Sequence, residues 1–267
     1  MLVRPVNLAC FAMKAGRKIL TQRTLARRIF SFVCLLLSLS GASQAGSFNV
    51  NPVRVELSAK ERSAVLRVEN NGDAAVTIQL QSMAWSQELG KDKLAATRDV
   101  IATPSIFKLK AGATQIVRVG MLRNADPQRE LSYRLFLEEI PPPPAPDFKG
   151  LQVALRIGLP IFIQPVETAV SQLKFLPKRL ADGQMQLTLV NQGLAHSQIF
   201  GLKVFPAAKP DAVFAASMIS LYVLPGQERS LLMRPGDFSQ AADGQLLIKA
   251  QTRAGPVESH ATLVGPD

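Results

Sequence analysis

The chain has 267 residues, with 31 lysines and arginines against 20 acidic residues and a formal net charge of +11. That excess is not spread along it: residues 1–45 hold Arg4, Lys14, Arg17, Lys18, Arg23, Arg27 and Arg28 and no acidic residue. The remainder carries 24 basic and 20 acidic side chains of interspersed sign, a net +4, so a nucleic-acid partner, which needs a clustered basic surface, loses its support.

The basic start is followed by an apolar run from Ile29 to Leu39, broken by Ser31 and Ser38 and shorter than the roughly 20 residues a membrane span needs. Ser43 and Ala45 supply small residues for a peptidase, which places Sec-type cleavage after Ala45, with Met1 and Met13 both available as start sites. Both cysteines, Cys10 and Cys34, lie in this leader. The exported chain therefore has no thiol, and its stability must come from apolar cores. No membrane span is expected in the mature protein. The 222 residues after the leader suffice for two domains of about 100 residues each.

From residue 46 onward the pattern is short segments of alternating apolar and polar residues, broken by Gly, Pro, Asn and Asp, which predicts an all-β fold. The first segment changes parity. Phe48 and Val50 are even, whereas Val53, Val55 and Leu57 are odd, so a strand kinked at Pro52 is expected to leave one sheet and join another, with Arg54 turned away from the apolar face. Ala64, Leu66 and Val68 alternate next, then Val76, Ile78 and Leu80, then Ile116, Val117 and Val119, then Tyr133, Leu135 and Leu137. Trp85, the only tryptophan, reads as a core plug rather than a ligand platform. A short repeat joins the halves: Leu66, Val68, Asn70 and Gly72 match Leu187, Leu189, Asn191 and Gly193. Each copy is followed by a turn and strand, Lys110 to Val119 and Pro225 to Met233. Two copies of one sandwich are expected, residues 46–164 and 165–267, meeting near Pro165.

After the proline-rich stretch Pro141 to Gly150, the odd positions from Leu151 through Val153, Leu155, Ile157 and Leu159 to Ile161 are all apolar. Eleven residues would make one long strand of roughly 33–36 Å. The row reads equally as the last core strand of its domain or as an open sheet edge that accepts another chain. In the second reading Leu151, Val153, Leu155 and Ile157 are the side chains offered to the partner.

The stretches "NPVRVEL" (Asn51 to Leu57), "RVENNG" (Arg67 to Gly72), "ATPSIFKLKAGATQIVRV" (Ala102 to Val119), "RELSYRLFLEEIP" (Arg129 to Pro141) and "LQVALRIGLPIFIQP" (Leu151 to Pro165) together resemble the periplasmic chaperones of the chaperone/usher pilus pathway. The resemblance implies two immunoglobulin-like sandwiches set in an L, no cofactor, a periplasmic location, and donor-strand complementation of pilus subunits that pass to an outer-membrane usher. It also implies a pair of basic residues for the subunit's terminal carboxylate. The first matches Arg54; the second, a lysine in most relatives, falls on Pro160, and Arg156 and Arg118 are the substitutes the pattern offers. Glu130 matches an acidic position expected between the domains. The "LPIF" form and the missing disulfide resemble the archaic branch, and weak self-association through the donor edge is expected.

No nucleophile motif, zinc motif or phosphate loop occurs, and His196 and His260 belong to no such motif, so neither a catalytic nor a metal site is expected. A surface adhesin or carbohydrate-binding pair of sandwiches is the competing class, but aromatics are only 6% of the chain, few for glycan platforms.

Overall fold

Residues 48–144, 146, 147 and 150–266 are described by the computed structural model, and the leader, its cleavage point and both cysteines lie outside them. Among the described residues there is no α-helix, only strands and one 3-10 turn at Phe238–Ala241, and no helix long and apolar enough to cross a membrane.

The parity change at Pro52 is a change of sheet. β1 (Phe48–Asn51) pairs with β3 (Ser63–Asn70) in one sheet, whereas β2 (Val55–Leu57) pairs with β10 (Arg156–Ile163) in the other. Phe48, Val50, Val55 and Leu57 are all buried in the same core. Val53 is not; it is 71% exposed in the crossing segment, where the backbone follows neither sheet. The first sheet continues from β3 to β8 (Thr114–Met121) and β6 (Val100–Thr103). The second runs β2, β10, β9 (Leu131–Ile140), β4 (Val76–Glu88) and β5 (Lys91–Ala96), with β7 (Ile106–Leu109) also on β4. Their facing side chains, among them Leu66, Val117, Val119, Leu135 and Ile161, interdigitate as one core. Ile116 is on the solvent face instead, one residue out of phase with Val117 and Val119.

A second sandwich repeats the plan. β11 (Leu173–Arg179), β12 (Met185–Asn191) and β16 (Glu228–Met233) form one sheet. Opposite it lie β14 (Ala215–Ser217), β13 (Ser197–Pro206), β17 (Gln245–Thr252) and β18 (Gly255–Thr262), with β15 (Leu221–Val223) also on β13. Its own core is built on Phe175, Leu187, Leu189, Val204 and Ile248.

The short repeat has a shared physical purpose. Asn70 Nδ2 donates to the carbonyls of Ala74 at 2.7 Å and Leu109 at 3.1 Å, and its Oδ1 accepts from Gly72 N at 2.9 Å. Asn191 Nδ2 donates to the carbonyls of Ala195 at 2.7 Å and Val223 at 3.1 Å, and its Oδ1 accepts from Gly193 N and Gln172 N, both at 3.0 Å. Each asparagine is fully buried and ties its own turn to the strand end before the next one, where Gly112 and Gly226 take φ of +68° and +67°. The second copy is tighter. A Cβ on Gly193 would lie 2.3 Å from the carbonyl oxygen of Val170 and 2.6 Å from Gln172 N, backbone atoms that cannot step aside. Gly193→Ala is therefore expected to destabilise the second sandwich by about 3 kcal/mol in denaturant unfolding, against little effect for Gly265→Ala, whose Cβ would meet open space.

Candidate functional site

β10 runs antiparallel to β9 along its whole length, from Arg156 opposite Glu138 to Ile163 opposite Leu131. On its other margin it meets β2 only at Ile161, Phe162 and Ile163, in parallel. From Arg156 to Pro160 that margin pairs with no strand among the described residues. The direction of its backbone groups follows from two bonds: Glu139 N donates to the Leu155 carbonyl on the β9 side at 2.9 Å, and Gln164 N donates to the Leu57 carbonyl on the β2 side at 2.8 Å. With a period of two, the open margin presents the N–H and C=O groups of Arg156 and Gly158 and the C=O of Pro160, which has no N–H.

The expected eleven-residue strand is shorter at its start. Leu151 and Val153 precede β10 and are 87% and 62% exposed, while Leu155 and Ile157 are half-buried against the first core. The cause is the neighbour. β9 ends at Ile140, and beyond the Glu139–Leu155 bond no strand among the described residues accepts the ladder that residues 151–154 would need.

Arg54 immediately precedes Val55, whose partner is Ile161, so it stands where the open margin stops. Its side chain is only 13% exposed and pairs with Glu56 through Nη2, while Nη1 is buried and has no partner among the described residues. A buried guanidinium donor left unpaired costs about 1–3 kcal/mol, which an incoming anion would recover.

Neither substitute arginine joins Arg54. Arg156 sits four residues before Pro160, roughly 13 Å along the strand, on the outer face, where it pairs with Glu138 at 3.5 Å and lies 4.1 Å from the Phe136 ring centre. Arg118 is exposed on β8, in the opposite sheet of the sandwich, beside Val65 and Thr103. The cation that does flank Pro160 is Arg134, its cross-strand partner on β9. Its guanidinium lies 3.8 Å from the Trp85 ring centre and 6.0 Å from that of Tyr222 and makes no hydrogen bond to a described residue. Burial draws its pKa down, Asp92 and Tyr222 push it back up, and Arg229 lowers it again. It faces a cavity of about 380 Å³ between the sandwiches, lined by Trp85, Asp92, Pro160, Tyr222 and Arg229 among others. The visible signal in the sequence was parity: with Tyr133, Leu135 and Leu137 inside, Arg134 must be outside.

Glu130 is buried at the junction of the sandwiches. Its Oε1 accepts from His196 N at 3.1 Å and pairs with His196 Nδ1 at 2.7 Å, and its own N donates to the Leu194 carbonyl at 2.9 Å. His196 thus has an acidic partner 66 positions away in sequence, and its ring stacks on Phe162 with centres 3.6 Å apart. Trp85 is buried in this junction with Phe162 and Leu224, not within either sandwich core. Among the described residues no group of three or more His, Cys, Asp or Glu is placed to hold a metal ion.

The open margin of β10 thus stands beside a cleft in which Arg54 Nη1 and the Arg134 guanidinium have no hydrogen-bond partner among the described residues. Residues 47–169 match the family model described as pili and flagellar-assembly chaperone, PapD N-terminal domain. It is 28% identical to the chaperone protein PapD of Escherichia coli over 170 residues, 62% of this chain and 66% of that one. It is 31% identical to the Escherichia coli chaperone protein FaeE over 132 residues, 49% of this chain. The chain spans just under two thirds of the first relative's length and about half (48%) of the second's. In fold it is similar to a chain of the CsuC–CsuE chaperone–tip adhesion subunit complex from archaic Csu pili of Acinetobacter baumannii. The TM-score is 0.58 and the identity 20%, with 83% of this chain and 100% of that one covered. The two-sandwich, immunoglobulin-like fold is thus that of the chaperone–usher chaperones.

Proposed function

We propose that this protein is a periplasmic chaperone that captures pilus or fimbrial subunits by lending them β10 and delivers them to an outer-membrane usher. Residues 46–164 are read as the domain that carries the donor strand and residues 165–267 as the domain that closes the cleft. The observation that carries the proposal is the margin of β10, open from Arg156 to Pro160 and then blocked by β2. A chain added there must terminate where β2 begins, beside Arg54, whose buried Nη1 awaits an acceptor. If its terminal carboxylate is the end that stops at Arg54, the added strand runs parallel to β10, as β2 does. Arg134, across Pro160, takes the place of the lysine expected from the resemblance, instead of Arg156 or Arg118. Leu155 and Ile157 are the apolar side chains nearest the margin, and Leu151 and Val153 extend the offered row once a partner supplies the missing ladder. The same margin would let two free copies associate weakly edge to edge, and the archaic branch is the subfamily this reading favours.

Co-expression with a pilus subunit, followed by capture through a tag on the chaperone, tests this. The subunit with its native terminus is expected in the eluate, and the same subunit extended by a few residues at its C-terminus is expected to be lost, because the extension collides with β2. Equal recovery of both overturns the proposal.

A further inference from the structure

The cleft has two walls on two sandwiches, and interfaces between domains of one chain ordinarily permit relative motion unless something pins them. One pin is the Glu130–His196 pair. A second, which no sequence motif marks, is the β4–β5 hairpin. Gln87, near the end of β4, is 8% exposed, whereas every residue of the β5 strand it pairs with is exposed. Its Oε1 accepts from Leu224 N at 3.0 Å, its Nε2 donates to the Tyr222 carbonyl at 2.8 Å, and its backbone N donates to Gln227 Oε1. One side chain therefore meets both a donor and an acceptor of the second sandwich's backbone.

Its cross-strand partner Asp92 gathers three donors on a single oxygen: Trp85 Nε1 at 3.0 Å, Gln87 Nε2 at 3.1 Å and Arg229 Nη1 at 3.2 Å. The hairpin tip also reaches across. A Cβ on Gly90, which has φ of +73°, would lie 2.8 Å from Ser230 Oγ, so backbone of one sandwich rests directly on β16 of the other. Tyr222 and Arg229, which these bonds hold, line the far wall of the cavity that Arg134 faces.

We infer that the β4–β5 hairpin is a strut that fixes the second sandwich against the cleft, with Gln87 as the positioning residue and Asp92, which also lines the cavity, bracing it. Together with Glu130–His196, whose imidazole lies 5.6 Å from the Tyr222 ring, it closes one continuous contact around Trp85 and Phe162. The cleft wall is then already in place when a subunit arrives, and binding does not have to order it. This rests on the subunit-binding reading of the cleft, and the test separates the two.

Residues 46–267 contain no cysteine, so in a chain beginning there single spin labels can be placed by Lys60→Cys in the first sandwich and Lys209→Cys in the second, both exposed. Pulsed electron-spin measurements then give the distribution of the distance between them. Affinity is read with a synthetic peptide copied from the last strand of a pilus subunit and ending in a free carboxylate. The expected result is one narrow distribution for the parent, and for Gln87→Met a distribution about twofold broader with roughly tenfold weaker peptide binding. Should Gln87→Met fail to fold, Asp92→Asn, which keeps the acceptor oxygen and removes the ion pair with Arg229, is expected to broaden the distance distribution by less. An unchanged width in both variants overturns the strut, and so does a broadened distribution with undiminished affinity. If the parent does not bind the peptide yet Gln87→Met still broadens the distribution, the strut stands and the subunit-binding reading falls.

Discussion

Asn191→Ala is expected to lower the unfolding free energy of the second sandwich by about 2–4 kcal/mol, and Asn70→Ala that of the first by somewhat less. The asymmetry follows from the count of lost partners. Asn191 leaves two backbone N–H groups and two carbonyls unpaired, those of Gly193, Gln172, Ala195 and Val223, whereas Asn70 leaves Gly72 N and the carbonyls of Ala74 and Leu109. Both side chains are wholly enclosed, so water cannot replace the bonds without opening a turn. For a domain of this size the loss corresponds to a fall of about 10–20 °C in melting temperature, read by calorimetry with each sandwich followed as its own transition. Asn191→Asp, which keeps both acceptor interactions and loses both donors, should fall between parent and alanine. A drop below about 1 kcal/mol for Asn191→Ala would mean that these turns are not held by the asparagine.

Arg54→Ala and Arg134→Ala are each expected to weaken subunit binding by roughly ten- to a hundredfold, the magnitude of losing charge-assisted hydrogen bonds to one carboxylate. Because both guanidinium groups flank Pro160 and would grip the same ligand, the double substitution should fall short of the product of the two. Arg54→Lys should recover only part of the loss, since the forked geometry goes with the guanidinium. Arg118→Ala, on the far sheet, is expected to leave affinity within about twofold, and Arg156→Ala, which removes an exposed pair with Glu138, to cost no more than about fivefold. Titrating labelled peptide into each variant measures all four. A large loss for Arg156 or Arg118 with none for Arg134 would restore the arginines that the sequence pattern offered.

Much of the architecture could be read from residue parity, because the side-chain period of a strand is short and unforgiving. The even-to-odd switch between Val50 and Val55 marks a real passage from sheet to sheet, and the Asn–Gly repeat marks two turns built from the same bonds. Parity failed where it lacked a neighbour to act on. Val53 continues the odd row but sits in the crossing, and Leu151 and Val153 continue the donor row past the last bond that β9 can offer. The site was harder to see. Arg134 comes to Pro160 only through the β9–β10 register, and His196 meets Glu130 only because two loops of different sandwiches touch. Pairings of that kind depend on three-dimensional register, which alternation along one strand does not encode.

Amide hydrogen exchange resolved at single residues, followed by NMR in the free protein and with a saturating subunit peptide, tests the open margin most directly. The N–H groups of Ile157 and Leu159 face β9 and should exchange slowly in both states, whereas those of Arg156 and Gly158 should exchange rapidly in the free protein and become protected in the complex. If Arg156 and Gly158 are already protected without a partner, or stay unprotected when the peptide is bound, β10 is not the strand that this protein lends.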